Sequence, residues 1–562
     1  MPYRAPLADY HLLHRILDLP GLTATGLFAH ASPDVVDQIL AEAARLSETT
    51  LAPLNRVGDQ HPARLVNGKV VTSPGFAEGY RAIAEGGWIG MAASPDHGGM
   101  GLPLTVTAAV NEMMGAACLA LQLNPLMAQG QIEALESHAS PQLQAIYLPR
   151  LISGEWCATM NLTEPQAGSD VGALTTRAEP RGDGTFAITG RKIFITWADN
   201  DFSANVCHLV LARLPDGGPG TRGISLFMVP KFLPDAAGRP GPRNAIRVAR
   251  LEEKLGLHGS PTAELLFEGA TGWLVGQPHK GMAAMFTMMN NARLGVGMQG
   301  VSVAEAALQQ AWAWAKDRRQ GKTPDGSATI LGHADVRRML AEMRLHSFAA
   351  RAIGLACACA SDRARATGDA AWAARAALLT PISKAYGTDT GALVANLGIQ
   401  IHGGMGFIEE TGAAQFARDV RVTQIYEGTN GIQAMDLVGR KFMDGGAAAY
   451  ALLDEIDRSA RAAADHSTDA LIAATGALRS TTSRLLASDQ NDRFAGAVPY
   501  LAAFARILGV HYHLAAAALD ARRAPLARLA VTRLLPEVPG LLALSETGAA
   551  DLYALTEALV VP

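Results

Sequence analysis

One glutamate, Glu427, has the residue type and the surroundings expected of a general base. It lies between the apolar pair Ile425-Tyr426 and the flexible stretch Gly428-Thr429-Asn430-Gly431. A carboxylate held against apolar and aromatic neighbours has a raised pKa, which a base needs in order to take a proton from a weak carbon acid. The decapeptide 424–433 alone leaves open the alternative of an ordinary solvated glutamate.

Two further segments could surround a planar polar group. Residues 160–171 form a small polar loop, Met-Asn-Leu-Thr-Glu-Pro-Gln-Ala-Gly-Ser-Asp-Val, which offers backbone N–H groups and hydroxyls to a ring or an anion. An ordinary turn capped by Asx and Ser side chains is the alternative. Residues 188–197 predict a half-buried strand whose last residue, Trp197, could line a pocket for a ring.

A glycine cluster follows at 403–406, in the run Gln400-Ile401-His402-Gly403-Gly404-Met405-Gly406-Phe407. Bare backbone of this kind is needed where a pyrophosphate or an adenine comes close. A helix end followed by a tight turn explains it equally well, and His402 alone is typical of a hydrogen-bonded structural residue.

One motif matches a cofactor-binding pattern, but the residues around it argue against that function. Residues 295–300 match G-x-G-x-x-G, the dinucleotide fingerprint, but no predicted strand precedes them, and position 320 is Gln instead of an acidic residue. We therefore expect these glycines to allow close packing of helices.

The elements that must position these residues change character along the chain. Helical periodicity covers about 33–157, opening at Ser32-Pro33 with Ser32 as N-cap, and short β-type runs separated by turn residues cover about 160–280. Helices return from 281, and Asp444-Gly445-Gly446 precedes a last helical block. Segregated helices and strands predict an α+β fold. The expected domains are 1–158, 159–280, 281–440 and 441–562.

Composition excludes several classes of protein. The 562 residues are 49% hydrophobic and 18% charged, with a net charge of −4, which excludes a disordered chain and argues against a general nucleic-acid or anionic-membrane binder. No signal peptide is expected, and no uninterrupted apolar run approaches the roughly 18 residues of a membrane span. Five cysteines without a CxxC motif indicate buried, reduced thiols in a cytoplasmic protein.

In this order and at this spacing, the segments resemble the acyl-CoA dehydrogenase family over about residues 60–440. The matching motifs are Thr-Glu-Pro-x-Ala-Gly-Ser-Asp at 163–170, Gly-x-Lys-x-x-Ile-Thr at 190–196, Gln-x-x-Gly-Gly-x-Gly-Phe at 400–407 and Tyr-Glu-Gly-Thr at 426–429. The N-terminal segment and the extra C-terminal block are similar to a large bacterial subgroup that includes 3-methylmercaptopropionyl-CoA dehydrogenases.

The resemblance implies an N-terminal helical domain, a central β-barrel-like domain, a four-helix bundle and an appended C-terminal helical domain. FAD would lie between the β domain and the bundle, with part of its site from a neighbouring subunit. The positions that match FAD-binding residues of the family are Leu162, Thr163, Gly168, Ser169, Ile195, Thr196, Arg318, Gln400, Gly403, Gly404, Thr429 and Asn430. Positions near the CoA thioester are Ser169, Arg293 and Gly428.

The implied activity is FAD-dependent dehydrogenation of an acyl-CoA to the trans-2-enoyl-CoA. Glu427 would take the α-proton while a hydride leaves for flavin N5, and the Glu427 backbone N–H would help to stabilise the enolate. The substrate would be 3-methylthiopropanoyl-CoA or a fatty acyl-CoA, the acceptor an electron-transferring flavoprotein, and the assembly a homodimer or homotetramer. No metal, nucleic acid or membrane is expected. The alternatives are an acyl-CoA oxidase that reduces O₂, a DNA-associated flavoprotein of the same fold and a purely structural helical protein.

Overall fold

A computed structural model describes residues 3–235, 237–463 and 467–560 of the chain. The elements of the N-terminal region are α1 (Leu7–Ile16), α2 (Leu19–Thr23), α3 (Pro33–Leu46), α4 (Ala52–Gln60), β1 (Arg64–Val66), β2 (Lys69–Val71), α5 (Phe76–Glu85), α6 (Leu104–His138) and α7 (Pro141–Ile152). The strands of the central region are β3 (Trp156–Asn161), β4 (Arg177–Pro180), β5 (Phe186–Thr196), β6 (Asn205–Arg213), β7 (Ile224–Pro230), β8 (Phe232–Pro234), β9 (Pro240–Arg243), β10 (Ile246–Leu251) and β11 (Thr262–Val275).

The remaining described elements are helices. Those of the bundle region are α8 (Gly281–Asp317), α9 (Ala334–Thr367), α10 (Ala370–His402), α11 (Ala413–Val420) and α12 (Asn430–Val438). Those of the C-terminal region are α13 (Ala447–Ala463), α14 (Ser467–Ala487), α15 (Gln490–Ala495), α16 (Ala497–Leu519), α17 (Ala524–Leu534), α18 (Val538–Ser545), α19 (Ala550–Tyr553) and α20 (Glu557–Val560).

The central strands close into a barrel-like ring. Strand β11 pairs antiparallel with both β5 and β7, β7 pairs with β6, and β4 joins β5 to β6. Strand β10 extends the sheet beyond β11, and β3 runs parallel to β6. The barrel has its own apolar core, in which Ile188, Val210, Phe227 and Phe267 are buried. The expected α+β fold with a barrel-like central domain is confirmed.

Glycines let α8 and α10 run side by side in the bundle. A Cβ atom added to Gly300 would lie 2.2 Å from the carbonyl oxygen of Gly387, and one added to Gly297 would lie 2.7 Å from that of Ser383. The glycines of the G-x-G-x-x-G motif therefore allow close helix packing, as the sequence analysis expected.

One sequence expectation needs correction. Ser32 precedes α3 as predicted, but its side chain accepts no capping hydrogen bond within the described residues.

Helices α6 and α16 are long and apolar enough to cross a membrane by length and composition alone, although neither contains an uninterrupted apolar run of that length. The most apolar window of α6 is 94% buried and that of α16 is 61% buried, as in the core helices of a folded domain.

The C-terminal helices pack on the bundle instead of forming a separate body. Helix α16 contacts α9, α12, α14, α17 and α18. Its residues Tyr500, Phe504 and Leu508 are buried in the same apolar core as the bundle and the N-terminal helices. The four domain ranges from the sequence stay a prediction.

Candidate active site

The turn that carries Glu427 has an unusual backbone. Glu427 has φ = 56° and Gly428 has φ = 84°, so two successive residues lie in the left-handed region. A non-glycine residue pays a steric cost there and keeps the conformation only when its surroundings hold it. The Thr429 hydroxyl accepts a hydrogen bond from the Ile432 N–H at 3.3 Å, and so fixes the start of α12 directly after the turn.

A buried lysine on α10 holds this turn. The Lys384 ammonium donates to the Gly428 carbonyl oxygen and to the Asn430 Oδ1, both at 2.8 Å. The Gln433 side-chain amide donates to the Glu427 carbonyl oxygen at 3.1 Å. Three contacts from two helices therefore hold the strained segment and aim its side chain.

Asn430 is held by its own network of hydrogen bonds. Its amide nitrogen donates to the Thr388 hydroxyl at 2.9 Å and to the Asp389 carboxylate at 2.7 Å, while its oxygen accepts from Lys384. The side chain matched to FAD binding in the sequence analysis therefore contacts α10. Its role toward FAD stays a prediction.

The Glu427 carboxylate is available to accept a proton. It forms no hydrogen bond or salt bridge within the described residues, although its side chain is half-buried. Burial raises the pKa of Glu427 to about 7, and the positive charges of Arg293 and Lys384 oppose that rise. A carboxyl with this pKa is partly ionised at neutral pH, which suits a base for a weak carbon acid. The backbone N–H of Glu427 likewise has no acceptor among the described residues.

Arg293 provides a buried cation beside this turn. It is 7% exposed, its guanidinium forms no hydrogen bond or salt bridge within the described residues, and its buried Nε has no partner. One guanidinium nitrogen lies 4.0 Å from the position that a Cβ on Gly428 would take. Burial lowers the pKa of Arg293, while Asp436 and Glu427 raise it. A buried, unpaired arginine here suits a polar or negatively charged part of a substrate.

A buried ion pair shapes the polar loop at 162–169. The Lys192 ammonium on β5 contacts the Glu164 carboxylate at 2.8 Å and the Leu162 carbonyl oxygen at 2.9 Å. Glu164 also accepts hydrogen bonds from the N–H and hydroxyl groups of Thr175 and Thr176, between 2.6 and 3.0 Å. Lys192 and these donors hold the pKa of Glu164 at about 2, against the effect of burial.

The rest of the loop is anchored but accessible. The Thr163 carbonyl oxygen accepts from the Ile193 N–H at 3.0 Å, whereas Gly168 and Ser169 are exposed. A Cβ atom on Gly168 would meet nothing within 4 Å. The loop therefore exposes Gly168 and Ser169, while its start is hydrogen-bonded to β5.

The strand positions matched to FAD differ in where their side chains lie. Ile195 and Thr196 pair with Ala263 and Thr262 at the end of β5. The Ile195 side chain is buried in the barrel core, so its backbone is the part that can face a cofactor. Trp197 is fully buried and donates through its indole N–H to the Ala120 carbonyl oxygen at 3.0 Å, so it connects the end of β5 to α6 instead of lining an open pocket.

Four predicted FAD residues lie at the far end of the bundle. Arg318 follows α8, and Gln400, Gly403 and Gly404 surround the end of α10, about 25 Å along that helix from Lys384 at a rise of 1.5 Å per residue. All four are exposed. A Cβ atom on Gly403 or Gly404 would meet nothing within 4 Å, and Gly403 has φ = 62°. Within one chain these residues do not meet Glu427.

Nearby, His402 has a structural role, as the sequence analysis expected. Its ring stacks on Trp314 with ring centroids 4.9 Å apart. Its Nδ1 lies 2.7 Å from the Gly398 carbonyl oxygen. The stacking contact connects the ends of α8 and α10, and the Nδ1 contact lies within α10.

Sequence reasoning missed the residues that support the site. Lys384 is fully buried, and the only signal for it was a lone charge in the apolar stretch Ile382–Tyr386. The pairing of Glu164 with Lys192 gave no sequence signal, because the two residues lie in separate segments of the chain. Gln433 gave none, because its contact with the Glu427 carbonyl oxygen depends on the left-handed backbone of the turn. The assignment of every predicted site residue to catalysis or binding stays a prediction.

Comparison with known families gives three matches along the chain. Residues 38–155 match the N-terminal domain of acyl-CoA dehydrogenase, residues 159–270 match its middle domain, and residues 279–442 match its C-terminal domain.

Individual proteins resemble the chain over most of its length. It is 43% identical to the 3-methylmercaptopropionyl-CoA dehydrogenase of Ruegeria pomeroyi over 519 residues, which cover 89% of this chain and 88% of that protein. It is 35% identical to the broad-specificity linear acyl-CoA dehydrogenase FadE5 of Mycobacterium tuberculosis, over 78% of this chain and 75% of that protein. The fold is similar to that of Caenorhabditis elegans ACDH-11 in complex with C11-CoA, with a TM-score of 0.81, 21% identity and coverage of 95% and 92% of the two chains.

Proposed function

The chain belongs to the acyl-CoA dehydrogenase family and is an oxidoreductase of that class, and from this premise we propose how its own residues carry the reaction. Glu427 takes the α-proton of an acyl-CoA thioester as the thioester is oxidised to the trans-2-enoyl-CoA. The observation that carries this assignment is a carboxylate with no hydrogen-bond partner among the described residues. Its pKa is raised to about 7, and its backbone turn is held by Lys384 and Gln433.

The members of this family depend on FAD, and we propose that this chain binds it. The residues fit: Gly168 lies on the open, anchored loop, and Gly403 and Gly404 leave bare backbone where a side chain would otherwise project. Thr163 and Ser169 add hydroxyl groups on the loop that carries Gly168. Thr196 adds one at the end of β5, the strand whose Ile193 N–H bonds to that loop. When bound, FAD supplies the acceptor for the hydride that leaves the β-carbon.

Two groups of this chain can stabilise the charge that develops on the thioester oxygen or recognise the CoA portion. The Glu427 backbone N–H has no acceptor within the described residues and can donate to a developing oxyanion. Arg293 offers a cation beside the same turn that has no partner in the part of the chain that the structure describes. Bound substrate excludes water from the half-buried Glu427 and raises its pKa further before the proton moves.

The Ruegeria relative favours a 3-methylthiopropanoyl thioester, because it is named a 3-methylmercaptopropionyl-CoA dehydrogenase and matches 89% of this chain. A linear fatty acyl-CoA is the second candidate, since the Mycobacterium relative carries that specificity in its name. We propose the methylthio substrate first.

Assembly, electron acceptor and location are part of the proposal. The exposed far end of α10 supports a homodimer or homotetramer in which Arg318, Gln400, Gly403 and Gly404 complete a neighbouring subunit's FAD site. The apolar side chain of Phe407, 87% exposed beside these glycines, suits such a contact. An electron-transferring flavoprotein is the proposed acceptor. Five buried free thiols are consistent with a cytoplasmic location.

The test is anaerobic reduction of the FAD-loaded protein by a panel of thioesters. The panel contains 3-methylthiopropanoyl-CoA and short, long, branched and aromatic acyl-CoA. We expect the flavin absorbance to bleach fastest with the methylthio substrate and the matching 2-enoyl-CoA to appear as product. Bleaching by no member would contradict the proposed function, and a clear preference for long chains would move the substrate to the second candidate. Release of peroxide in step with turnover in air would identify an oxidase.

A further inference from the structure

We propose that Lys384 is a positioning residue for catalysis: its ammonium group holds the Glu427 turn in the left-handed conformation and supplies the positive charge against which Glu427 ionises. This inference rests on the proposed role of Glu427 as the base. It concerns a residue that none of the family motifs in the sequence contains.

The contacts of Lys384 explain how one side chain can hold the turn. The residue is fully buried on α10, and its ammonium lies 2.8 Å from the Gly428 carbonyl oxygen and 2.8 Å from the Asn430 side-chain oxygen. These acceptors are one and three residues beyond Glu427. A charged donor gives the stronger class of hydrogen bond, so the pair of contacts can balance the steric cost of the Glu427 backbone.

The charges around the pair define what Lys384 can do. Glu427 faces Arg293 from α8 and Lys384 from α10. Lys384 in turn faces Glu427, Asp389 on its own helix and Arg293. Because Arg293 also faces Asp436 and Arg440 from the segment after the turn, its charge is shared.

The only lysine facing Glu427 within the described residues is thus one that also binds the backbone of the turn. Burial lowers the pKa of Lys384 to about 8, while Glu427 and Asp389 support its charged form. Near neutral pH the lysine therefore keeps most of its charge as Glu427 ionises.

Three substitutions separate the two roles. Lys384→Met removes the charge and the hydrogen bonds, Lys384→Gln keeps a donor without the charge, and Lys384→Arg keeps the charge. Lys69→Met, at an exposed lysine on β2, is the control for loss of a lysine elsewhere. Flavin content and the melting temperature are measured for each variant, so that a folding defect is recognised.

The first readout is the pH profile of kcat/KM. We expect Lys384→Met to lower kcat at least about tenfold and to move the acidic limb upward by about one pH unit. We expect Lys384→Arg to keep the acidic limb at its wild-type pH. Lys384→Gln should have a higher kcat than Lys384→Met, with its acidic limb still displaced to higher pH. A wild-type limb in both uncharged variants would overturn the proposal, because a purely structural lysine would change the rate without moving the profile.

The second readout is independent of activity. The pKa of Glu427 is raised in the folded state, so its ionisation lowers the free energy of unfolding as pH rises from about 4.5 to about 7. At higher pH the free energy of unfolding stays lowered by the same amount. Near pH 7.5 we expect Glu427→Gln to raise the melting temperature of the apoprotein, and to raise it more in the Lys384→Met background. Equal increases in the two backgrounds would show that the residues are not coupled.

The two proposals fail in different ways. If the wild-type protein is not reduced by any acyl-CoA, the proposed function is wrong, and the stability cycle still reports on the Lys384–Glu427 pair. If the wild type is reduced and Lys384→Met behaves like Lys69→Met, only the inference about Lys384 is wrong.

Discussion

Arg293 and Glu427 form an unusual pair of neighbours, because neither charged group has a hydrogen-bond partner within the described residues. Most buried charges in proteins are paired. Arg293 is 7% exposed and has no partner among the described residues, which indicates a ligand-binding position. A buried charge without a partner also lowers the stability of the fold, so replacing Arg293 tests this interpretation directly.

We expect Arg293→Met to separate stability from substrate binding. The apoprotein should be at least as stable as the wild type, because the apolar methionine side chain removes a buried charge that has no partner among the described residues. The Kd for acyl-CoA, measured by calorimetry, should rise by about ten- to a hundredfold. Arg247→Met, at an exposed arginine of β10, is the control and should leave both quantities unchanged. Unaltered affinity in Arg293→Met would remove this residue from the substrate site.

The pKa of Glu427 also predicts the pH dependence of the reaction. The base must be ionised to accept a proton, and burial raises its pKa to about 7 in the free protein. We therefore expect kcat/KM to fall as pH drops below about 7, and to be independent of this group above that value. Initial rates with an artificial electron acceptor from about pH 5 to about pH 9 measure it. A limb near pH 4.5, the usual value for glutamate, would contradict the described surroundings.

At the scale of elements, the packing of α8 against α10 determines the site. Arg293 lies on α8 and Lys384 on α10, so the spacing of these two helices fixes how both cations face Glu427. The glycines at 297, 300, 387 and 391 permit that spacing. Gly297 and Gly300, in the G-x-G-x-x-G motif at 295–300, therefore affect the site by setting the distance between α8 and α10.

We expect Gly300→Ala to push these helices apart. Its Cβ would lie 2.2 Å from the Gly387 carbonyl oxygen, a backbone atom that cannot rotate away, so the free energy of unfolding should fall by about 1 to 3 kcal/mol. Gly476→Ala, in α14, is the matched control because its Cβ meets nothing within 4 Å, and it should stabilise the helix slightly. Denaturant unfolding of both variants measures the difference. Equal stability of the two variants would contradict the close packing.

Some features of the site and the fold could be predicted from the sequence and others could not. The raised pKa of Glu427 was predictable because its apolar neighbours and the following glycine are contiguous in sequence. Strands β6 and β7 were predictable because they are clear apolar runs, whereas their closure into a barrel followed only from the family resemblance. Lys384 and the Glu164–Lys192 pair were not, since their partners lie in distant segments of the chain. Gln433 was not, because its bond to the nearby Glu427 carbonyl oxygen depends on the backbone conformation of the turn. Burial of α6 was also hidden, because a helix that is apolar on all sides has the composition of a membrane span.

At the scale of the whole molecule, a buried ion network ties both ends of the chain to the bundle. Arg351 on α9 contacts Asp9 of α1 at 2.7 Å, and Glu112 and Glu305 at 2.6 Å each. Arg523 of the C-terminal region reaches the same Asp9 at 2.5 Å. The arginines hold the pKa of Asp9 well below its usual range, against the effect of burial. The terminal additions to the three family domains are thus joined through one aspartate.

We expect Arg351→Met to be among the most destabilising single changes in this chain. It leaves the carboxylates of Asp9, Glu112 and Glu305 in the interior without their common partner, so the loss should be about 3 to 5 kcal/mol. Arg338→Met, an exposed arginine on the same helix, should cost less than about 1 kcal/mol. Thermal unfolding with limited proteolysis of the C-terminal region measures both. Similar melting temperatures for the two variants would show that the network does not join these regions.

The central claim, that Glu427 is the base, is tested most directly by Glu427→Gln in stopped-flow flavin reduction without oxygen. Glu410→Gln, at an exposed glutamate of the same region, is the matched control. We expect Glu427→Gln to bind FAD and acyl-CoA as the wild type does, and to reduce the flavin at least about a thousandfold more slowly, while Glu410→Gln behaves as wild type. Reduction of the flavin by Glu427→Gln at the wild-type rate would contradict the claim.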